Sequence, residues 1–218
     1  MISTRNLSRL PDVDRLRRTL QSMAMLDAIL EPDWEYRFYS FNHRWATGEQ
    51  MGSMRDGQGD DFFALFNQTG CWLKGFAHES PMAPYRTKPK QVWPGVLEFV
   101  PAEFTAYLNE PAFSVEDTTF WIWRRHDDQG WKCGSIEFPP GEADPDGSES
   151  LLSPLDGNPQ TYRDWAAEYF SIPTLGIEPV RHVYEHRPLT PEILLALNPT
   201  LVLEELADDI EEIGYPAI

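Results

Sequence analysis

Residues 50–80, QMGSMRDGQGDDFFALFNQTGCWLKGFAHES, restrict the possible folds more than any other stretch of this chain. Two tight turns are written into it. The first uses Asp56-Gly57 and Gly59-Asp60-Asp61, and the second uses Asn67-Gln68-Thr69-Gly70. Glycine supplies positive φ at low cost, and Asp and Asn tolerate it while bonding their own backbone. The residues between the turns are aromatic or aliphatic, which suits a pleated and half-buried surface. The stretch therefore predicts an antiparallel meander with strands at 50–56, 61–67 and 71–77.

The remaining elements are placed around that meander. Val13, Leu16, Leu20, Met23, Leu26 and Leu30 recur at intervals of three and four, so residues 12–30 are expected to form an amphipathic helix that Pro32 stops. Arg15, Arg17 and Arg18 fall on its other side and read as a solvated face. A strand is expected at 34–41, mostly helical structure at 93–109, and a second hairpin from 117–125 and 131–138. Residues 139–150, PPGEADPDGSES, combine Pro, Gly and acids without an aromatic, as a linker or long surface loop does. Asn158-Pro159, Thr190-Pro191 and Asn198-Pro199 each resemble an N-cap followed by the first helical residue. The last of these opens a helix at 199–213 with Leu203, Leu206, Ile210 and Ile213 as its buried stripe. VRHVYEH, 180–186, is β-branched and aromatic and reads as a strand. The expected fold is α+β, a mainly antiparallel sheet of five to seven strands with an N-terminal helix and C-terminal helices packed on it. Residues 1–218 are expected to be one domain carrying the loop at 139–150.

Charge narrows the function. The formal net charge is −17. The segment 141–218 holds three arginines, no lysine and 16 acids. Such a balance disfavours nucleic-acid backbones and anionic membranes, which need basic patches, and suits a basic protein partner. No run of 18 apolar residues is present, so no membrane association is expected. The N-terminus lacks an apolar leader core, and Cys71 and Cys133 are the only cysteines. Both observations favour a cytoplasmic protein with free thiols.

Several short motifs invite chemistry. His182-Val183-Tyr184-Glu185-His186 fits H-x-x-E-H, which on a helix puts two metal ligands and a base on one face. On the expected strand those imidazoles would lie about 13 Å apart at the backbone, and no third ligand is evident, so no metal is expected there. His78-Glu79-Ser80 follows the third meander strand, but Ser80 has no glycine elbow around it and lies too near His78 in sequence to face it. Asp56, Asp60 and Asp61 cluster without the spacing of a calcium loop. No phosphate-binding glycine loop, dinucleotide fingerprint or zinc-ribbon cysteine set occurs, so no cofactor is expected. Trp121 and Trp123 could stack a ligand, yet few basic residues surround them.

The segments SMRDGQGDDFFALFNQTGCWLKGFAHESPMAPY (53–85), VWPGVLEFVPAEF (92–104) and EDTTFWIWRR (116–125) resemble a family of uncharacterised bacterial proteins. The resemblance covers 34–138. It implies a bacterial cytoplasmic origin and supplies no catalytic residues.

The function expected from these features is that of a non-enzymatic cytoplasmic interaction protein, for example an immunity- or antitoxin-type partner of a basic effector. Glu204, Glu205, Asp208 and Asp209, in the last helix, form the expected contact surface. One alternative is a small hydrolase, perhaps metal-assisted, using His182, Glu185 and His186 or the His78-Glu79 loop. Another is a small-ligand binder with a pocket lined by Trp121 and Trp123.

Overall fold

The computed structural model describes residues 1–216. Its fold is α+β, built on one six-stranded antiparallel sheet whose strands follow each other in sequence order. They are β1 (Tyr39–Ala46), β2 (Glu49–Arg55), β3 (Asp61–Phe66), β4 (Gly70–Phe76), β5 (Phe120–Arg125) and β6 (Lys132–Cys133). The meander forms in the register its turns demand. Arg55 lies opposite Asp61, and Phe66 lies opposite Cys71. Asp56 Oδ1 holds the first turn by accepting the N–H groups of Gln58, Gly59 and Asp60 at 2.7–2.9 Å. Asn67 Oδ1 does the same for Thr69 in the second.

Side chains alternate across the sheet with period two, and each face carries its own core. Tyr39, Phe41, Phe62, Leu73 and Ile122 point to the face that packs on α1 (Val13–Leu30). Leu65, Trp72, Trp121 and Trp123 point to the opposite face. Among the described residues no regular α-helix covers them there. The chain between β4 and β5 does so with 3₁₀ turns, Ala102–Asn109 and Pro111–Phe113, and with Val96, Phe104 and Phe113.

Helix α1 is the hub. Asp12 caps it by accepting the Arg15 N–H at 2.8 Å. Leu16, Leu20, Met23 and Leu26 are fully buried, and burial stabilises the fold by roughly 1.5–3 kcal/mol for each such side chain. One side of α1 meets β1 and β2. The other meets α4 (Ile177–Tyr184), α5 (Pro191–Leu197) and α6 (Ala207–Ile213). Two further helices, α2 (Ser148–Leu152) and α3 (Pro159–Tyr169), complete the order.

Five elements depart from the sequence expectations. The helix expected at 199–213 is regular only over Ala207–Ile213, behind a 3₁₀ turn at Leu203–Leu206; Asn198 ends α5 instead of opening a helix, because its amide donates to the Ile29 carbonyl at 2.8 Å and its oxygen accepts the Thr200 N–H. Residues 180–186 are helical through Tyr184, not a strand. Val180 and Val183, three apart, are both fully buried under α1, so tertiary packing overrides their β-propensity. Residues 34–36 form a 3₁₀ turn capped by Asp33, so the first strand starts only at Tyr39. The expected strand 131–138 keeps only Lys132–Cys133. A Cβ at Gly134 would sit 1.9 Å from the Gly95 carbonyl oxygen, so here two backbones approach as no other residue allows, and the ladder stops. Residues 94–99 are turns, with helix-like 3₁₀ structure only at 102–109.

The Pro- and acid-rich segment 139–150 is anchored rather than loose. Thr4 donates its N–H to Ser148 Oγ at 3.0 Å and its hydroxyl to Asp146 Oδ2 at 2.5 Å, and α2 begins inside the segment. The apolar cluster under the sheet draws on side chains from both before and after it.

Candidate functional site

The face formed by α6 and the end of β1 gathers most of the clefts and most of the unusual charge. A 3₁₀ turn, Leu203–Leu206, leads into α6, and Gly214 in the left-handed region ends it. Leu206 and Ile213 are buried, which fixes the rotation of the helix. That rotation exposes Glu204, Glu205, Asp208, Glu211 and Glu212. Gln21 of α1 donates to the Ile213 carbonyl at 3.0 Å, and His43 Nδ1 meets the Glu212 carbonyl at 2.9 Å, so the helix end is held from two sides.

Beside α6 lies a groove of about 570 Å³. Leu189, Leu203, Ile210 and Tyr215 line it with apolar surface, and His43, Arg44 and Glu211 stand around it. Trp34, about half exposed, lies on the other side of the helix near Asp209 and Glu212.

Folding brings to the acidic helix the cations its own sequence neighbourhood lacks. Arg37 forms a two-pronged pair with Asp209, one contact at 3.1 Å, while its Nε–H reaches the Glu31 carbonyl at 2.9 Å. Arg44 meets Glu211 at 2.9 Å, with both side chains largely in water. The first pair is shielded and geometrically fixed. The second is an exposed pair of the kind that contributes about 0–1 kcal/mol. Asp209, expected on the contact surface, is thus engaged within the fold. Glu204, Glu205 and Asp208 have no cationic partner among the described residues, although Glu205 accepts the Val202 N–H.

The other expected site residues are dispersed. His182 Nε2 bonds the Pro188 carbonyl at 2.8 Å, and His186 Nε2 bonds the Arg18 carbonyl at 2.9 Å. Helix α4 ends before His186, which takes a left-handed φ of 54°, so the two imidazoles do not share a helix face. Glu185 pairs with Arg187. Among the described residues no three His, Cys, Asp or Glu side chains are placed to hold a metal ion.

His78 Nδ1 lies 2.6 Å from Asp60 Oδ1, a bond that raises its pKa and ties the end of β4 to the first turn. The neighbouring Ser80 hydroxyl is buried, donates to the Pro145 carbonyl at 2.6 Å and accepts the Met82 N–H at 2.9 Å, so it faces no base. The Glu79 carbonyl accepts from Arg86 at 2.8 Å. Asp61 pairs with buried Lys74 at 3.0 Å. Trp121 and Trp123 are core residues. Trp121 stacks on Trp72 with ring centroids 4.6 Å apart, and neither indole opens to a cleft.

Sequence reading missed Arg37, His43 and Arg44, whose only signal was basic residues interleaved with the aromatics of WEYRFYSFNHRW. It also missed Asp27. That carboxylate, fully buried on α1, accepts the N–H groups of Phe38 and Tyr39 at 2.9 and 2.7 Å and the Tyr162 hydroxyl at 2.6 Å. Burial pushes its pKa up to about 7 against the opposing pull of those bonds. It joins α1, the start of β1 and α3, and lies away from solvent. No helix among the described residues is long and apolar enough to cross a membrane.

The chain matches no family model, no curated protein and no solved structure.

Proposed function

We propose that this protein is a non-enzymatic interaction protein that docks a basic partner on the α6 face, in the manner of an immunity protein or antitoxin that neutralises a basic effector. The observation that carries the reading is the apolar groove beside α6 and the 3₁₀ turn before it, which together expose five carboxylates. The groove gives a docking segment apolar area to bury, which an acidic patch alone does not. The carboxylates steer a cationic partner and fix its orientation, raising the association rate more than the affinity. A bacterial cytoplasmic setting belongs to the same reading, and the two unpaired thiols are compatible with it.

The hydrolase alternative has no geometric support, because His182 and His186 bond separate carbonyls and Ser80 is closed off. The tryptophan-pocket alternative has none either, because those indoles are in the core.

The test compares the wild type with the triple variant Glu204→Gln, Glu205→Gln, Asp208→Asn, which leaves the Arg37–Asp209 pair intact. A basic protein captured by the wild type should associate with the variant at least about tenfold more slowly at low salt. Its rate with the wild type should fall steeply as salt rises toward a Debye length of about 8 Å. Equal rates and equal salt dependence for both proteins overturn the reading.

A further inference from the structure

A second cleft, of about 520 Å³, opens where the start of α1 meets the turn before α3 and the end of α4. It shares no lining residue with the α6 groove. Its volume falls within the range of small-molecule sites, about 300–1,000 Å³. Arg15, Arg18, Pro159 and Tyr184 line it, together with Asp12, Asp14 and Glu185.

Two of those acids are engaged elsewhere, and the third, Asp14, is largely in water. Asp12 caps α1 through the Arg15 N–H at 2.8 Å. Asp14 lies 3.7 Å from Arg17, and Glu185 takes Arg187. Arg15 and Arg18 have no carboxylate within ion-pair distance among the described residues. Each donates one long bond, 3.5 Å, to a carbonyl: Arg15 to Gly157 and Arg18 to Glu185. A guanidinium has five N–H donors in a planar fork, so most of both forks lacks a protein partner. The clefts beside α6 differ, because Arg37 and Arg44 there face Asp209 and Glu211.

Both arginines are exposed, and Arg15 rests on the turn before α3. Gly157 has a φ of 73°, and a Cβ built on it would come within 3.0 Å of Arg15 Nε. The Arg15 side chain therefore lies directly on a glycine that gives it room. At the neighbouring His186 burial lowers the pKa, the bond to the Arg18 carbonyl opposes it, and the charges of Arg18 and Arg17 add to the lowering.

We propose that this cleft binds a small organic oxyanion, a phosphate monoester or a carboxylate, gripped by forks from Arg15 and Arg18 with its body against Pro159 and the Tyr184 ring. Paired guanidiniums match the oxygen spacing of both groups, which is why bidentate arginine contacts recur at such ligands. The lining also carries three carboxylates, so the grip rests on the directional N–H donors of the two forks rather than on net positive charge.

The experiment is an NMR titration of the whole protein with phenyl phosphate, benzoate and, as an ionic-strength control, chloride. Saturable shifts confined to amides around Arg15, Arg18, Gly157 and Glu185 are expected with at least one of the two organic anions and not with chloride. The preferred anion identifies the headgroup. Arg15→Gln and Arg18→Gln should each weaken that binding at least tenfold, whereas Arg9→Gln, on an exposed arginine outside the cleft, should not. The wild-type titration stands alone if a variant fails to fold. No saturable response in the wild type, or the same response to chloride, overturns the proposal. Binding undiminished in folded Arg15→Gln and Arg18→Gln overturns it as well.

Discussion

Replacing Asp27 by Asn tests which of two opposed forces governs the centre of this fold. Three donors point at the carboxylate, and hydrogen bonds of that kind favour the ionised form. Complete burial favours the neutral form, and it is the larger effect, raising the pKa from 3.8 to about 7. The folded state then binds a proton that the unfolded chain releases between those two values. Asp27 therefore contributes stability that is fully present below about pH 3.8 and is lost as pH rises toward 7. Each pH unit within that window is worth about 1.36 kcal/mol.

Asparagine has the same shape and no titration. Its carbonyl oxygen still accepts the Phe38 and Tyr39 N–H groups, and its amide can donate to the Tyr162 oxygen. Urea unfolding followed by tryptophan fluorescence, at pH 5, 6, 7 and 8, gives the stability of both proteins. The absolute offset between them includes the altered bond to Tyr162, but the change in offset with pH does not. Relative to the wild type, Asp27→Asn should gain about 2.3 kcal/mol between pH 5 and pH 7 and little more by pH 8. A difference that is flat with pH, or one in which the variant loses ground as pH rises, would show that the three hydrogen bonds outweigh burial and that Asp27 is ionised in the fold.

Other outcomes are open to direct measurement. Asp61→Asn should destabilise by about 3–5 kcal/mol in urea, because it strands the buried Lys74 ammonium, and adding Lys74→Met should recover a large part of that loss. Gly134→Ala should cost more than about 2 kcal/mol and lower the thermal midpoint, since its methyl has to displace the Gly95 carbonyl. Truncating Trp121 to Ala should cost about 3–5 kcal/mol as a core cavity, and no small aromatic ligand should restore more than a part of it.

The meander was legible because its turns and its alternation were local facts. Asp56, Asn67 and the glycines set the register, and neighbours in sequence are neighbours in the sheet. Helix α1 was legible for the same reason, through a repeat of three and four. The failures came where distant contacts decide. Val180 and Val183 prefer a strand in isolation, and only the presence of α1 above them makes a helix the better burial. Residues 134–138 alternate as a strand should, yet the Gly95 backbone occupies the space beside Gly134. The candidate site was half visible. The acids of α6 and the turn before it stand in one run, but the groove needs Leu189, Ile210 and Tyr215 from separate segments, and Arg37 and Arg44 arrive from just before β1 and from within it. The cleft around Arg15 and Arg18 looked like a solvated helix face because its other walls come from residues 157–159 and 184–185.

The two arginine pairs show that one acidic chain can engage its arginines in one place and leave them without carboxylate partners in another. Arg37 and Arg44 reach α6 and meet carboxylates there, so that face keeps only its excess negative charge. The shielded Arg37–Asp209 pair holds the helix in place, while the exposed Arg44–Glu211 pair is weak enough to open when a stronger cation approaches Glu211. At the other end of α1 the sorting runs the opposite way. Asp12 is held by the helix cap and Glu185 by Arg187, which leaves the Arg15 and Arg18 forks without a carboxylate partner among the described residues. Net charge describes neither place. What each surface attracts is set by which side chains the fold has already paired.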